Sequence, residues 1–451
     1  MAAPAPPPPE DAPRATVAAS PGWPRLLGIA SGSLALAAIW ALYNVFMPLL
    51  LAGFLESRAA RGAVMGLDNV VAVLLIPVVG AWSDRVRGRW GRRLPFLLVG
   101  VPLAALTFAG LPWAATALWS LIALDVVFLL AITLYRAPLV ALMPDHVPPD
   151  ARSVANGAIT LMGAVGGVLA LVALAPLAEA ALGLPFAAVP FAVGAGLALV
   201  ALAVVVASSH RHPPFVADGS VAEDAPSPRA VWRALRAQGA GAGSAAGADA
   251  GAWRGALPLL GGLFAAFFGF AAVEAQFSAF ATEALAVGAG RAGTLLGTAS
   301  AAFVLVAFPA GAWARRVGER AAMRLGAAVL VAALPVAGLL PDGLALSAAL
   351  VVFGAGWALV VVPAYPLVAD LGGCDRVGLL TGLYYLVGSS AAIVAPGVAG
   401  LAMDAFGDRA LFAVAALAFA AAAVAWGRVP PRRTVGGAGD EGGPVRRAAQ
   451  R

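Results

Sequence analysis

Twelve long apolar runs constrain this chain more than any other feature. They lie at about 26–55, 62–84, 94–113, 117–143, 153–177 and 182–208, and, after a polar break, at 256–283, 292–315, 323–341, 343–370, 377–402 and 409–427. A helix needs about 20 predominantly apolar residues to cross the hydrocarbon core of a bilayer. The runs do not alternate polar and apolar residues, which excludes outer-membrane strands. The expected fold is therefore all-α, a polytopic membrane protein of twelve transmembrane helices. Composition agrees: 12% of the 451 residues are charged, against about 25% in a soluble domain. Neither a soluble enzyme nor a disordered chain fits.

The runs divide the chain into five segments. Residues 1–22 form a Pro-rich tail, expected to be disordered, without the basic start and short apolar core of a cleavable signal peptide. Residues 23–208 and 256–427 form two six-helix bundles. Between them, 209–255 is a polar linker, in which Trp232, Arg233 and Arg236 suggest a short interfacial helix. The Arg- and Gly-rich tail 428–451 is again expected to be disordered. All 29 basic residues are arginine. With both tails cytoplasmic, 24 arginines fall inside, four (Arg58, Arg61, Arg291 and Arg409) outside, and Arg136 within a span. Basic loops favour the cytoplasmic side, so both termini and the linker are expected there, in a cell (inner or plasma) membrane.

The same arginine loops account for the high pI, and no basic face with interleaved aromatics points to nucleic acid. The single cysteine, Cys374, excludes an internal disulfide and a thiolate metal cluster. His146, His210 and His212 lie in polar stretches, so a buried histidine relay is not expected. No P-loop, metal-ligand cluster or nucleophile–His–acid set is visible, and no cofactor, metal or enzymatic activity is expected.

The two halves resemble each other. Gly80-Ala81-Trp82-Ser83-Asp84-Arg85-Val86 follows the second span, and Gly311-Ala312-Trp313-Ala314-Arg315-Arg316-Val317 follows the eighth. Pro138-Leu139-Val140-Ala141 ends the fourth span and Pro366-Leu367-Val368-Ala369 the tenth. Related six-span halves are a transporter-type repeat, which places a substrate site between them.

The loop after the second span resembles the Gly-x-x-x-Asp-Arg-x-x-x-Arg-Arg motif of the major facilitator superfamily, with Gly80, Asp84, Arg85 and the pair Arg92 and Arg93 in its positions. The run Arg89-Trp90-Gly91-Arg92-Arg93-Leu94-Pro95-Phe96 is similar to the sucrose–proton symporters and the wider glycoside–pentoside–hexuronide carriers, notably their bacterial members. Leu67-Asp68-Asn69, Tyr135-Arg136-Ala137-Pro138, Pro144-Asp145, Arg152-Ser153-x-Ala155-Asn156-Gly157 and Thr381-Gly382-Leu383-Tyr384-Tyr385 fit the same group. The resemblance implies a gate of Gly80, Asp84, Arg85, Gly91, Arg92, Arg93, Asp145 and Arg152, in which the glycine permits close helix contact and the acid pairs with arginines. A plain positive-inside loop is the competing reading. Sodium-coupled melibiose-type carriers use two aspartates four residues apart in the second span. Here position 72 is alanine, which favours protons.

Ionisable groups inside a span cost about 2.5–3.5 kcal/mol by insertion scales, so each needs a reason. Asp68, Asp125 and Glu274 are candidate proton carriers. Asp68 also suits a structural pair with Arg58 or Arg61, and Glu274 a packed neutral carboxyl. Arg136 shares a face with Asp125, about 16 Å away along the helix. It suits either sugar hydroxyls or a pair with Asp145. Trp40, Tyr43 and Asn44 share one face of the first span. With Asn69, Gln276, Trp357, Tyr384 and Tyr385 they supply the amides and rings that sugars stack and bond against, although aromatic stripes also serve packing. Clustered glycines at Gly163, Gly166 and Gly167, and at Gly354 and Gly356, read as close helix packing.

These residues point to a secondary active transporter, most simply a proton-coupled sugar or glycoside symporter working by alternating access. The alternative is a proton-driven exporter of small amphipathic compounds. The expected partners are a small-molecule substrate, a proton and the lipid bilayer, and a monomer is the expected form. The arginine bias makes a direct prediction. A cysteine placed at Gly241 should resist an impermeant thiol probe in intact cells and react once the membrane is opened; labelling from outside would invert the topology.

Overall fold

The computed structural model describes residues 22–148, 151–179, 183–211, 213, 250–370 and 373–428. Most of both tails and of the linker, including Trp232, Arg233 and Arg236, lies outside the described residues. Among those described, the regular structure is helical, and twelve helices are long and apolar enough to cross a membrane. Spans one to six are Trp23–Ala52, Arg58–Arg85, Leu94–Ala114, Leu118–His146, Val154–Glu179 and Ala188–Ser208. Spans seven to twelve are Leu257–Ala284, Ala289–Val317, Glu319–Leu339, Leu344–Val368, Gly382–Phe406 and Ala410–Gly427. Helix is the form that satisfies every backbone group internally where no water can. The helix of span seven begins at Ala250, ahead of the expected start at 256.

Span two is broken. A short piece, Arg58–Met65, ends at Gly66, and a second piece, Leu67–Arg85, follows. Span five also departs from a regular helix, closing with a π-helical turn, Ala170–Leu174, and a 3-10 turn, Ala175–Glu179. Both irregular ends meet the other half. The first bundle is centred on Tyr43, Phe46, Phe108, Phe128 and Phe191, with the Phe108 and Phe191 rings stacked at 4.4 Å. The second is centred on Phe277, Phe280, Phe412, Phe419 and Trp426. The glycines act in packing as expected. A Cβ on Gly166 would lie 2.0 Å from the Leu34 carbonyl oxygen, and one on Gly354 1.9 Å from that of Ala299.

The halves meet along two seams on the face opposite the 86–93 loop. In one, Arg58–Met65 lies against span eleven so closely that a Cβ on Gly62 would stand 2.2 Å from the Pro396 carbonyl oxygen. In the other, the end of span five lies against span eight, with Gly290 and Gly293 facing Pro176 and Ala175. Spans two and eight occupy equivalent places in the two halves, so the seams are related by the internal repeat.

Charge secures the first seam. Arg58 pairs with Glu283 at 2.6 Å and with Asp408, and lies 3.6 Å from Asp404. Arg61, 3% exposed, pairs with Glu283 at 2.6 Å. Asp404 accepts hydrogen bonds from the Ser57 hydroxyl (2.7 Å) and from the backbone N–H groups of Arg58 (2.9 Å) and Ala59 (3.1 Å). It therefore caps, from one half, a helix that belongs to the other, satisfying donors that a helix start leaves open.

Removing Glu283 should loosen this seam. Glu283→Ala strands the buried Arg61 guanidinium, at a cost of about 1–3 kcal/mol once Glu283's partial exposure is allowed for. The expected result is a lower melting temperature and a longer, broader spin-label distance distribution between positions 54 and 406. An unchanged distribution would mean that the ion pairs do not hold the seam.

Candidate functional site

A cavity of about 330 Å³ lies beneath the seams. Five of the expected residues line it: Asn69, Glu274, Trp357, Tyr384 and Tyr385. Tyr385 is 64% exposed and marks the side open toward the 86–93 loop. Two further rings complete the wall. Phe270 stacks on Trp357 at 4.3 Å, and Phe267 meets both Trp357 (5.6 Å) and Tyr384 (5.7 Å) edge-on. Phe267 and Phe270 do not stand out among the aromatic residues of the sequence. The available signal was their spacing, seven and four residues before Glu274, which places all three on one helical face.

The cavity's acid is held from across the interface. The Asn44 amide of span one donates to the Glu274 carboxylate of span seven at 3.2 Å. Asp68 is buried, accepts from the backbone N–H and side-chain amide of Asn69 (2.5 Å each), and lies within electrostatic range of Arg136, Asp125 and Glu274. It does not pair with Arg58 or Arg61, which the seam has engaged. Arg136 stands over the Trp40 ring at 5.9 Å, and Trp40 stacks on Tyr43 at 5.4 Å. Asp145 pairs with other arginines, so the Arg136–Asp145 pair does not form. Asp125 and Tyr43 are fully buried inside the first bundle. They face each other, but neither side chain makes a hydrogen bond of normal geometry. Trp40, Tyr43 and Asp125 thus form a polar core behind the cavity rather than its wall.

Gln276 needs a correction. It is 1% exposed, and its amide donates to the carbonyls of Pro396 (2.8 Å) and Arg58 (3.1 Å). Its capacity is spent on the seam. Two residues after Glu274, it points about 200° around the helix, away from the cavity.

At the opposite face the motif residues form a compact network within the first half. Arg93 pairs with Asp84 at 2.5 Å and with Asp145 at 3.2 Å, and donates to the Ser83 hydroxyl. Arg92 forks onto Asp145. Arg152 donates to the carbonyls of Pro144 (3.1 Å) and Val147 (3.3 Å), closing the end of span four. Arg85 ends span two. Gly80 does not serve the close contact expected of it: a Cβ there would meet only the Ala137 Cβ, at 4.0 Å, an ordinary distance.

Gly91 does need to be glycine. Its φ is +74°, and a Cβ would lie 2.3 Å from the Arg211 carbonyl oxygen. The Arg211 guanidinium covers the Trp90 ring at 4.4 Å. His146 is buried and bonds backbone groups on both sides. Its Nδ1 bonds the Leu142 carbonyl at 2.8 Å and its Nε2 accepts from the His210 backbone N–H at 2.9 Å. The 86–93 loop, the end of span four and residues 210–211 are therefore one packed unit.

Two six-span halves of related architecture, enclosing a cavity lined by ionisable and aromatic groups, define a membrane transporter. The chain belongs to the Major Facilitator Superfamily, whose sequence pattern matches residues 29–286 and 259–449. Its fold resembles an inward-facing bacterial homologue of the human lysosomal transporter Spinster, at 16% identity and a TM-score of 0.68 over 90% of this chain and 97% of that one. It also resembles the nucleoside transporter NupG, at 13% identity and a TM-score of 0.67 over 90% and 100% of the two chains. For a D-xylose–proton symporter the values are 12% and 0.64 over 90% and 97%. An uncharacterised symporter of Synechocystis is 32% identical over 99 residues, which span 19% of this chain and 18% of that protein.

The network orders the effects of two substitutions. Asp84 is about one-third exposed and Arg93 keeps Asp145, so Asp84→Asn should cost at most about 1 kcal/mol. It should slow turnover with near-normal substrate affinity. Asp145→Asn removes the partner of two arginines at a buried position and should cost about 3 kcal/mol or more. Melting temperatures and transport rates of the two variants check the order. Lost binding with unchanged turnover in Asp84→Asn would move Asp84 into the site.

Proposed function

We propose that this protein is a proton-coupled sugar or glycoside symporter that works by alternating access. The observation that carries the reading is charge. Asp68 lies within electrostatic range of two other carboxyls, Asp125 and Glu274, and of one guanidinium, Arg136. Three ionised carboxylates against one cation would leave two uncompensated charges within the membrane, which is costly. A proton is the smallest species that balances the surplus, and a site that must take up and give back protons can couple them to substrate.

The motif resemblance to the sucrose–proton and glycoside carriers supports this reading. So do the D-xylose–proton symporter among the fold neighbours and the Synechocystis symporter. With the arginine-rich face in the cytoplasm, the closed seams lie outside and the cavity opens inward. In the proposed cycle, a proton on Glu274 or Asp68 and a sugar in the cavity together permit the halves to rock. The loop at 85–93, with Asp84, Asp145 and Arg152, latches the cytoplasmic side. The aromatic wall favours a second reading, a proton-driven exporter of small amphipathic compounds.

Proteoliposomes separate these. An imposed gradient, acid outside, should drive sugar uptake; proton-driven loss of preloaded substrate would support the exporter. Glu274→Gln and Asp68→Asn mimic permanently protonated acids. Each should retain counterflow exchange and lose uphill accumulation, with Glu274 the stronger effect because it lines the cavity itself. In wild type, uptake should fall as external pH rises through the value at which the carrier loses its proton. If both variants concentrate sugar like wild type at every pH, the proton site lies elsewhere and Asp125 is next.

A further inference from the structure

The two seams are joined by different chemistry. At the first, Arg58 and Arg61 reach acids of the other half, and Asp404 accepts from the backbone at the start of the Arg58–Met65 helix. Among the described residues no ion pair crosses the second seam. The Arg291 guanidinium stands beside it but forks onto Asp342 of its own half, at 2.9 and 3.2 Å. The polar contact there comes from Glu179, the last residue of span five, whose Oε1 accepts from the Arg291 backbone N–H at 3.3 Å.

The helix of span eight begins at Ala289, with Gly288 as its N-cap. Arg291 is thus the third residue of the helix, and its N–H is one that an N-cap side chain ordinarily satisfies. Gly288 has no side chain to do so. Its backbone is extended, with φ −64° and ψ 155°, the conformation from which Ser, Thr, Asp or Asn would cap. Glu179 occupies the space that such a side chain would need. A Cβ on Gly288 would lie 2.1 Å from Oε1, and its three nearest atoms all belong to Glu179. The first half therefore supplies the cap that the second half lacks, and a carboxylate there also meets the positive end of the helix dipole. The irregular close of span five, a π-helical turn followed by a 3-10 turn, is the segment that carries Glu179 across.

Each half thus carries one carboxylate that caps a helix start of the other, Glu179 at the end of span five and Asp404 near the end of span eleven. The two are not equal. Ser57 gives the span-two helix a cap of its own, to the Ala60 N–H at 3.2 Å, and ion pairs reinforce that seam. The start of span eight has neither, and depends on the opposite half.

We infer that Glu179 is a positioning residue of the gate at the seam face, holding span eight against span five while that side is closed and releasing it when the halves part. The inference rests on the alternating-access reading. Loss of a cap should shift the balance between closed and open forms about fivefold.

The test uses the full-length carrier in liposomes, with Cys374→Ser and spin labels on Leu184→Cys and Leu344→Cys, exposed positions close to Glu179 and Asp342 in the two halves. Glu179→Ala should raise the share of long distances about fivefold. Glu179→Gln, which keeps an acceptor without the charge, should fall between it and wild type. Adding Gly288→Ser to Glu179→Ala returns a cap to span eight from within its own half. That double variant should recover the melting temperature of wild type but not the closed share. If it restores the closed share as well, Glu179 serves only a helix end; if Glu179→Ala leaves the distances unmoved, it holds nothing. Either result overturns this inference and leaves alternating access standing. A single wild-type distance that neither pH nor glucose, xylose or sucrose moves overturns both.

Discussion

The seam between Arg58–Met65 and span eleven is the interaction on which the rest of the arrangement depends. It decides which face of the cavity is closed, and it does so with bonds that can be broken at modest cost. Asp404 serves as the cap of a helix in the opposite half. Were the halves to part, the Arg58 and Ala59 N–H groups would lose that acceptor to water, while the Ser57 hydroxyl would still cap Ala60. The arginines face the same exchange, since Arg58 and Arg61 find their partners, Glu283, Asp404 and Asp408, across the interface. A seam made of charges can reopen into solvent, where a wholly apolar one would present bare hydrocarbon to water.

The two halves contribute different chemistry to the space between them. The first half supplies the amides of Asn44 and Asn69, with Asp68 and Arg136 close by and Asp125 buried behind them. The second supplies the aromatic wall and one acid, Glu274. The contact between Asn44 and Glu274 joins the two sets at the ceiling of the cavity. Charge is thus concentrated in the first bundle and the aromatic wall in the second. The sequence repeat relates the backbones of the halves, while their inward-facing side chains differ in chemistry.

Much of this is legible in the sequence. The apolar runs gave the spans because length and composition suffice to mark a membrane helix. The four intramembrane ionisable residues stood out because each is costly in that setting. What was hidden depended on neighbours rather than on local pattern. Phe267 and Phe270 look like any aromatic residues in an apolar helix, and only the structure shows them facing inward. The seam joins Ser57 to Asp404, 347 residues apart, which no spacing rule can pair. Gln276 reads as a substrate ligand because it is polar and close to Glu274 in sequence, although a two-residue step turns it to the other side of the helix. Gly80 was read through its motif, and its surroundings have room for a side chain.

The contact of Gly91 with Arg211 bears on how the two bundles are mechanically joined. The chain does not leave the first bundle at the end of span six. It is held for three residues more, by His146 on His210 and by Trp90 and Gly91 on Arg211. The tether therefore starts on the same piece of protein that carries the Arg93–Asp84–Asp145 network. A pull on the chain beyond Arg211 therefore reaches that network first, as a pull on a crank arm reaches its pin.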